Sequence, residues 1–194
     1  MTDAALLSEA RRVQLELEHF YDLEPGPDVA DFVRPADDSA REALLLRHQA
    51  DALEIALVVP ARAGSSAGAL DDAYLQLVEG VSHFVYVAER VRTGLQTTEL
   101  ELELQAEVDK FVLFAFDGPL LSSRRARAIR RVLYEQCAFV HSAESERGQR
   151  YRLANTLAAK LAHHLLDRPS RTARRFLQRF YRAGQGEKLR IAGR

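Results

Sequence analysis

Residues 71–92, DDAYLQLVEGVSHFVYVAERVR, and residues 98–117, TELELELQAEVDKFVLFAFD, decide the fold class. At ~100° per residue, the first stretch gathers Asp72, Gln76, Glu79, His83 and Arg90 into one narrow stripe. Tyr74, Leu77, Val78, Val81, Phe84, Val85 and Val87 fill the rest. A helix with so thin a wet stripe is mostly buried. The second stretch alternates Glu and Leu over 99–104 as a strand would. Helix prevails for three reasons. Thr98 followed by Glu101 fits a capping box, the acidic residues sit where the helix dipole favours them, and Leu100, Leu104, Val108, Phe111 and Ala115 continue at helical spacing. Gly118-Pro119 stops the helix. These two helices are expected to form a central hydrophobic pair.

Working outward, a helix is expected over about 3–21, with Leu6, Ala10, Val13, Leu17 and Phe20 inward. Residues 22–40 read as an acidic, proline-containing loop, which Val29, Phe32 and Val33 could anchor. One antiparallel hairpin is expected at about 42–59, turning at Gln49-Ala50-Asp51. Beyond the central pair, helices are expected over 123–141, with Cys137 and Val140 inward, over 145–167, and over 170–183. Residues 184–194 read as a tail that is either frayed or docked through Leu189 and Ile191. The expected architecture is therefore a predominantly α-helical α+β fold in a single domain of 194 residues: about six helices around the central pair, plus one hairpin.

Composition narrows the class of function. The chain is 47% hydrophobic and 28% charged, too apolar for a disordered polymer, and no apolar run approaches the ~18 residues of a membrane span. The start, Met1-Thr2-Asp3, lacks the pattern of a secretory signal. The single cysteine, Cys137, cannot build a disulfide framework, so a cytoplasmic setting is expected. Only Lys110, Lys160 and Lys188 are lysine among 27 basic residues, a bias that points to a GC-rich bacterial genome and weakens any argument that arginine was selected for phosphate.

The net charge of −1 conceals a division. Residues 1–110 carry 22 acidic and 9 basic residues, a balance of −13, and residues 111–194 carry 6 and 18, a balance of +12. Either the two halves neutralise each other or two surfaces of opposite sign exist. The sharpest electrostatic feature is the helix at 170–183, where Arg171, Arg174, Arg175, Arg179 and Arg182 share one arc opposite Phe176, Leu177, Phe180 and Tyr181. That arc is a candidate surface for a polyanion or a protein partner. No zinc-finger spacing or helix-turn-helix pattern accompanies it.

Glu79 and His83 form a candidate polar site: an ordinary i, i+4 pair if their stripe faces solvent, a site if it faces a cavity. Glu16 and His19 make one Glu-x-x-His, short of the pair that a di-iron bundle needs, and the expectation is no metal and no cofactor. Gly64-Ser65-Ser66-Ala67-Gly68 matches Gly-x-Ser-x-Gly, but four residues separate it from its strand, and it reads as a linker. His163-His164 reads as surface decoration, Cys137 as a buried inert thiol. With no convergent catalytic set, the first expectation is a non-enzymatic interaction or adaptor module that contacts another protein or a second copy. The alternatives are nucleic-acid or polyanion binding through the basic helix, and a helical enzyme using Glu79 and His83.

Overall fold

The computed structural model describes residues 3–37, 41–49, 52–61, 63 and 70–193. It is 67% helical, with seven α-helices and two small sheets among the described residues. The predominantly helical α+β expectation holds. The chain divides into two compact units, 1–19 with 23–94, and 20–22 with 95–194.

In the first unit, α1 (Asp3–Tyr21) buries Leu6, Ala10, Val13 and Leu17 as its periodicity predicts. The 22–40 segment is more than a loop. Asp28 caps a one-turn 3-10 helix at Val29–Asp31 through the Ala30 N–H, and β1 (Val33–Ala36) follows. Val29 and Val33 are buried, and the Phe32 ring lies 5.0 Å from that of Phe84. β2 (Ala43–Gln49) and β3 (Ala52–Pro60) form the expected hairpin, with Leu44 opposite Leu57 and Gln49 opposite Ala52. Ala50 and Asp51 of the expected turn lie outside the described residues, as does the Gly64–Gly68 segment with Ser66. β1 adds to β3 in parallel, giving a sheet in the order β1-β3-β2. The hairpin expectation missed this third strand because Pro35 lies in it; proline is admissible there because β1 is an edge. Helix α2 (Asp72–Arg92), capped by Asp71, packs on β3 and β2.

In the second unit, α3 (Glu99–Ala115) begins with the predicted capping box: the Thr98 side chain accepts from the Glu101 N–H and the Glu101 side chain accepts from the Thr98 N–H. Its Leu104, Val108, Phe111, Val112 and Ala115 are buried, and its main helical neighbour is α5 (Glu146–Leu165), which contributes Ala154, Ala158, Leu161 and Leu165. A short hairpin, β4 (Phe116–Asp117) and β5 (Leu120–Leu121), turns at Gly118 with φ of 54°. The helices α2 and α3, expected as one central pair, fall in different units, and each is the buried centre of its own.

Two further expectations are corrected here. The helix at 123–141 ends early: α4 (Ser123–Arg130) widens into a π turn at Arg131–Glu135 and stops. Residues beyond it run to Ser145, which caps α5, and the Ser142 carbonyl lies so close to Gly148 that a Cβ there would meet it at 1.8 Å. Val140 is consequently exposed rather than inward. After α6 (Ser170–Arg182), the expected tail folds into α7 (Gln185–Ala192), held by Lys188 and Ala192, both fully buried, with Leu189 and Ile191 half-buried.

Candidate functional site

The arc on α6 is divided in its work. Its opposite face buries Ala173, Leu177, Phe180 and Tyr181. Arg174 Nε donates to the Phe20 carbonyl at 3.1 Å, with its guanidinium 5.3 Å from the centre of the Phe20 ring. Gln178 donates to the same carbonyl at 2.9 Å, and Arg182 donates to those of Tyr21 and Asp22, at 3.0 Å each. The last carbonyls of a helix have no partner within it, and cations are favoured there. Arg174 and Arg182 therefore cap α1, whose chain leaves through Asp22 at a φ of 56°. Arg171, Arg175 and Arg179 remain exposed.

A second set of arginines meets the start of α6. The Ser123 hydroxyl donates to the Leu166 carbonyl at 2.9 Å, the Leu121 N–H donates to Ser170 Oγ at 2.9 Å, and Arg127 lies 3.4 Å from Asp167. These contacts bring the first turns of α4, with exposed Arg124 and Arg127, to the α5–α6 corner, with exposed Arg168 and Arg171. Other arginines nearby serve the fold: Arg125 donates to the Phe114 carbonyl at 2.7 Å and Arg130 to the Ala159 carbonyl at 3.2 Å. Of the acidic residues of the unit, Glu101, Glu103 and Asp109 are buried on α3. Asp167 is exposed at the corner.

The stripe on α2 does not face open solvent. His83 is 6% exposed and Glu79 half-buried, with a carboxylate oxygen of Glu79 and a ring nitrogen of His83 within 4.8 Å of each other. Glu42, at the entry to β2, joins them. It is 8% exposed, with Oε1 3.4 Å from His83 Nδ1. Its backbone N–H donates to Gln76 Oε1 at 2.9 Å, and Gln76 in turn donates to Asp72 at 2.7 Å. Room for Glu42 comes from Gly80, where a Cβ would meet Glu42 Cγ at 2.9 Å and Leu57 Cδ1 at 2.5 Å. Sequence reasoning named Glu79 and His83 and missed Glu42. The available signal was Gly80, a glycine inside a helix that has no turn to make there.

The second unit also contains a polar cluster that sequence reasoning missed. The Tyr21 hydroxyl donates to Asp109 Oδ1 at 2.5 Å, Gln105 Nε2 donates to the same oxygen at 2.7 Å, and Lys188 Nζ donates to Gln105 Oε1 at 2.6 Å. All four are 1% exposed or less. The Lys188 ammonium also lies 5.0 Å and 5.8 Å from the ring centres of Phe180 and Tyr181. Burial and the Asp109 carboxylate push the Tyr21 phenol well above its ordinary range. Gln105 and Asp109, four apart in the most apolar helix of the unit, were the legible sign.

The remaining candidates separate plainly. Glu16 and His19 are exposed on α1, and Glu16 pairs with Arg12 at 2.5 Å. His163 and His164 are both exposed. Cys137 is exposed, not buried, because α4 ends before it. Its thiol is still pushed above its ordinary value, by partial burial of the sulfur and by Glu107, while Asn155 donates to it at 3.4 Å. No helix among the described residues is long and apolar enough to cross a membrane. Compared with known proteins, the chain matches no family model, no curated protein and no solved structure.

Proposed function

We propose that this protein acts by binding, and that its partner is a nucleic acid whose phosphates meet the arginines of α4 and the α5–α6 corner. One observation carries the reading: Arg124, Arg127, Arg168 and Arg171 are exposed around a single corner, where exposed Asp167 lies 3.4 Å from Arg127, while Glu101, Glu103 and Asp109 are packed away on α3. An arginine presents a planar fork of donors that matches phosphate oxygens, and it stays charged at any physiological pH. Arg175 and Arg179, further along α6, extend the cationic surface; Arg174 and Arg182, committed to α1, do not. This takes up the alternative of nucleic-acid binding in place of the first expectation, contact with another protein or a second copy, and moves the surface from the α6 arc to the corner where α4 meets the start of α6.

The test is a titration of fluorescently labelled duplex DNA at several salt concentrations. Each neutralised phosphate contributes a slope of about −0.9 to log K against log salt, so four contacts give about −3.6. The variant R124S/R171S, altered at two exposed positions, should fold normally and lose about half of that slope. Affinity that is unchanged between low and moderate salt, or a variant that binds as the parent does, overturns the reading.

A further inference from the structure

Within the first unit, α1, the chain from Leu23 to Pro27 and α2 line a cavity of about 170 Å³. Its walls are largely apolar, formed by Leu23, Pro25, Pro27, Phe84, Val85 and Ala88. A buried carboxylate lines it too. Glu18 is 7% exposed, and its Oε1 accepts from Gln14 Nε2 at 2.8 Å and from the Gly26 N–H at 3.0 Å. Glu18 Oε2 accepts from no described residue, although it is not sealed from solvent. Buried polar atoms are normally satisfied, and an unused carboxylate oxygen calls for a partner from outside the chain. We propose that this cavity binds a short alkyl primary amine, its ammonium donating to Glu18 Oε2 and its apolar stem lying against the walls.

Three observations select that ligand. Charge comes first: the lining groups include three carboxylates, Glu18, Glu24 and Glu89, against one guanidinium, Arg92. Arg92 is held by Glu89 through two N–H groups at 2.8 Å and 2.9 Å and by Glu24 at 3.1 Å, so the unmatched charge is that of Glu18. Size comes next. An apolar cavity of about 150 Å³ admits benzene, and n-pentylamine has as many non-hydrogen atoms. The third is rigidity. Gln14 also donates to the Pro27 carbonyl and accepts from the Val29 N–H, both at 2.8 Å, so the residue that holds Glu18 ties down the loop as well. Gly26 allows the close approach: a Cβ there would stand 3.3 Å from Glu18 Oε1. The carboxylate is thus fixed before a ligand arrives, which lowers the entropic cost of binding. This site is separate from the arginine corner, which belongs to the second unit.

A free amine and the lysine side chain of another protein share this chemistry, and the test separates them. It follows the amide NMR signals of isotope-labelled full-length protein as n-pentylamine, n-pentanol or Nα-acetyl-lysine methylamide is added at constant pH. The Gly26 N–H, which donates to the same carboxylate, is the reporter. The expected result is that n-pentylamine moves that signal and binds at least ~10-fold more tightly than neutral n-pentanol, the worth of a hydrogen bond to a charged group. Binding of the lysine derivative more tightly than n-pentylamine identifies a lysine side chain as the occupant; weaker binding identifies a free amine. Glu18→Gln keeps an acceptor for Gly26 but removes the charge, and should bring the amine down to the affinity of the alcohol. Ala88→Leu keeps the test decisive if that variant fails to fold. Leucine is a good helix former and Ala88 is half-buried, so the larger side chain should fill the cavity and silence the Gly26 response to both probes. Three results overturn the proposal: a Gly26 signal that no probe moves, n-pentanol binding as tightly as n-pentylamine, or an Ala88→Leu variant that binds n-pentylamine as the parent does.

Discussion

Gly80 illustrates how one missing methyl group settles a local conflict. In the middle of a helix, alanine is favoured over glycine by about 1 kcal/mol. Here the added carbon would stand 2.5 Å from Leu57 and 2.9 Å from Glu42, both buried. Overpacking of this kind typically costs about 1–3 kcal/mol, so the packing loss exceeds the helical gain. Gly80→Ala is therefore expected to lower the midpoint of urea unfolding, with the denaturant slope unchanged; a raised midpoint would show that Glu42 swings away without penalty. At Cys137, exposure does not mean reactivity: a thiol held above its ordinary value carries less thiolate at neutral pH.

Helix α7 turns on Lys188. Its ammonium, fully buried, reaches Gln105 on α3 and the rings of Phe180 and Tyr181 on α6. Lys188→Ala takes the donor from the buried Gln105 Oε1 and leaves a cavity, and should cost about 3 kcal/mol. Lys188→Met fills similar space with a flexible chain suited to aromatic neighbours, and chemical denaturation should find it clearly the more stable of the two. Equal losses would mean that the charge alone holds α7. The sequence hides this helix because Lys188 reads as a solvated charge until its partners, 83 residues away in Gln105's case, are folded around it. Elements stabilised by their own pattern were legible: α1, α2, the capping box of α3, and the β2–β3 hairpin. Elements that depend on distant contacts were not, and β1 with its Pro35, the early end of α4 and α7 belong to that group. The candidate sites divide the same way. Glu79 and His83 announce themselves by helical spacing, and the α6 arginines by their arc. Glu42 acquires meaning only when the strand entry is laid against α2, and Arg174 and Arg182 lose theirs as surface charges only when the end of α1 reaches them.

At the scale of the whole molecule, alkaline pH should be the destabilising direction. The Tyr21 and Tyr134 phenols are both held well above their ordinary values, chiefly by burial, with Asp109 and Glu107 adding to it. A group whose pKa rises on folding stabilises the protein fully below its unfolded value, near 10 for tyrosine, and loses that contribution as pH climbs past it. Of the six tyrosines, these two are expected to ionise only together with unfolding, seen as a delayed rise in tyrosinate absorbance that coincides with loss of helical circular dichroism. Immediate, reversible ionisation of all six would contradict this. The same tyrosine reveals an order in time. Phe20–Asp22 belong to the second unit although they close a helix of the first. Tyr21 waits for Asp109, 88 residues on, and the backbone carbonyl of Tyr21 waits for Arg182, 161 residues on. A ribosome makes the tripeptide early and its partners late, and the entropy of closing so long a loop is met only when the last helices return to it. The second unit thus completes its folding after synthesis of α6 and α7, around a piece of chain made well before them.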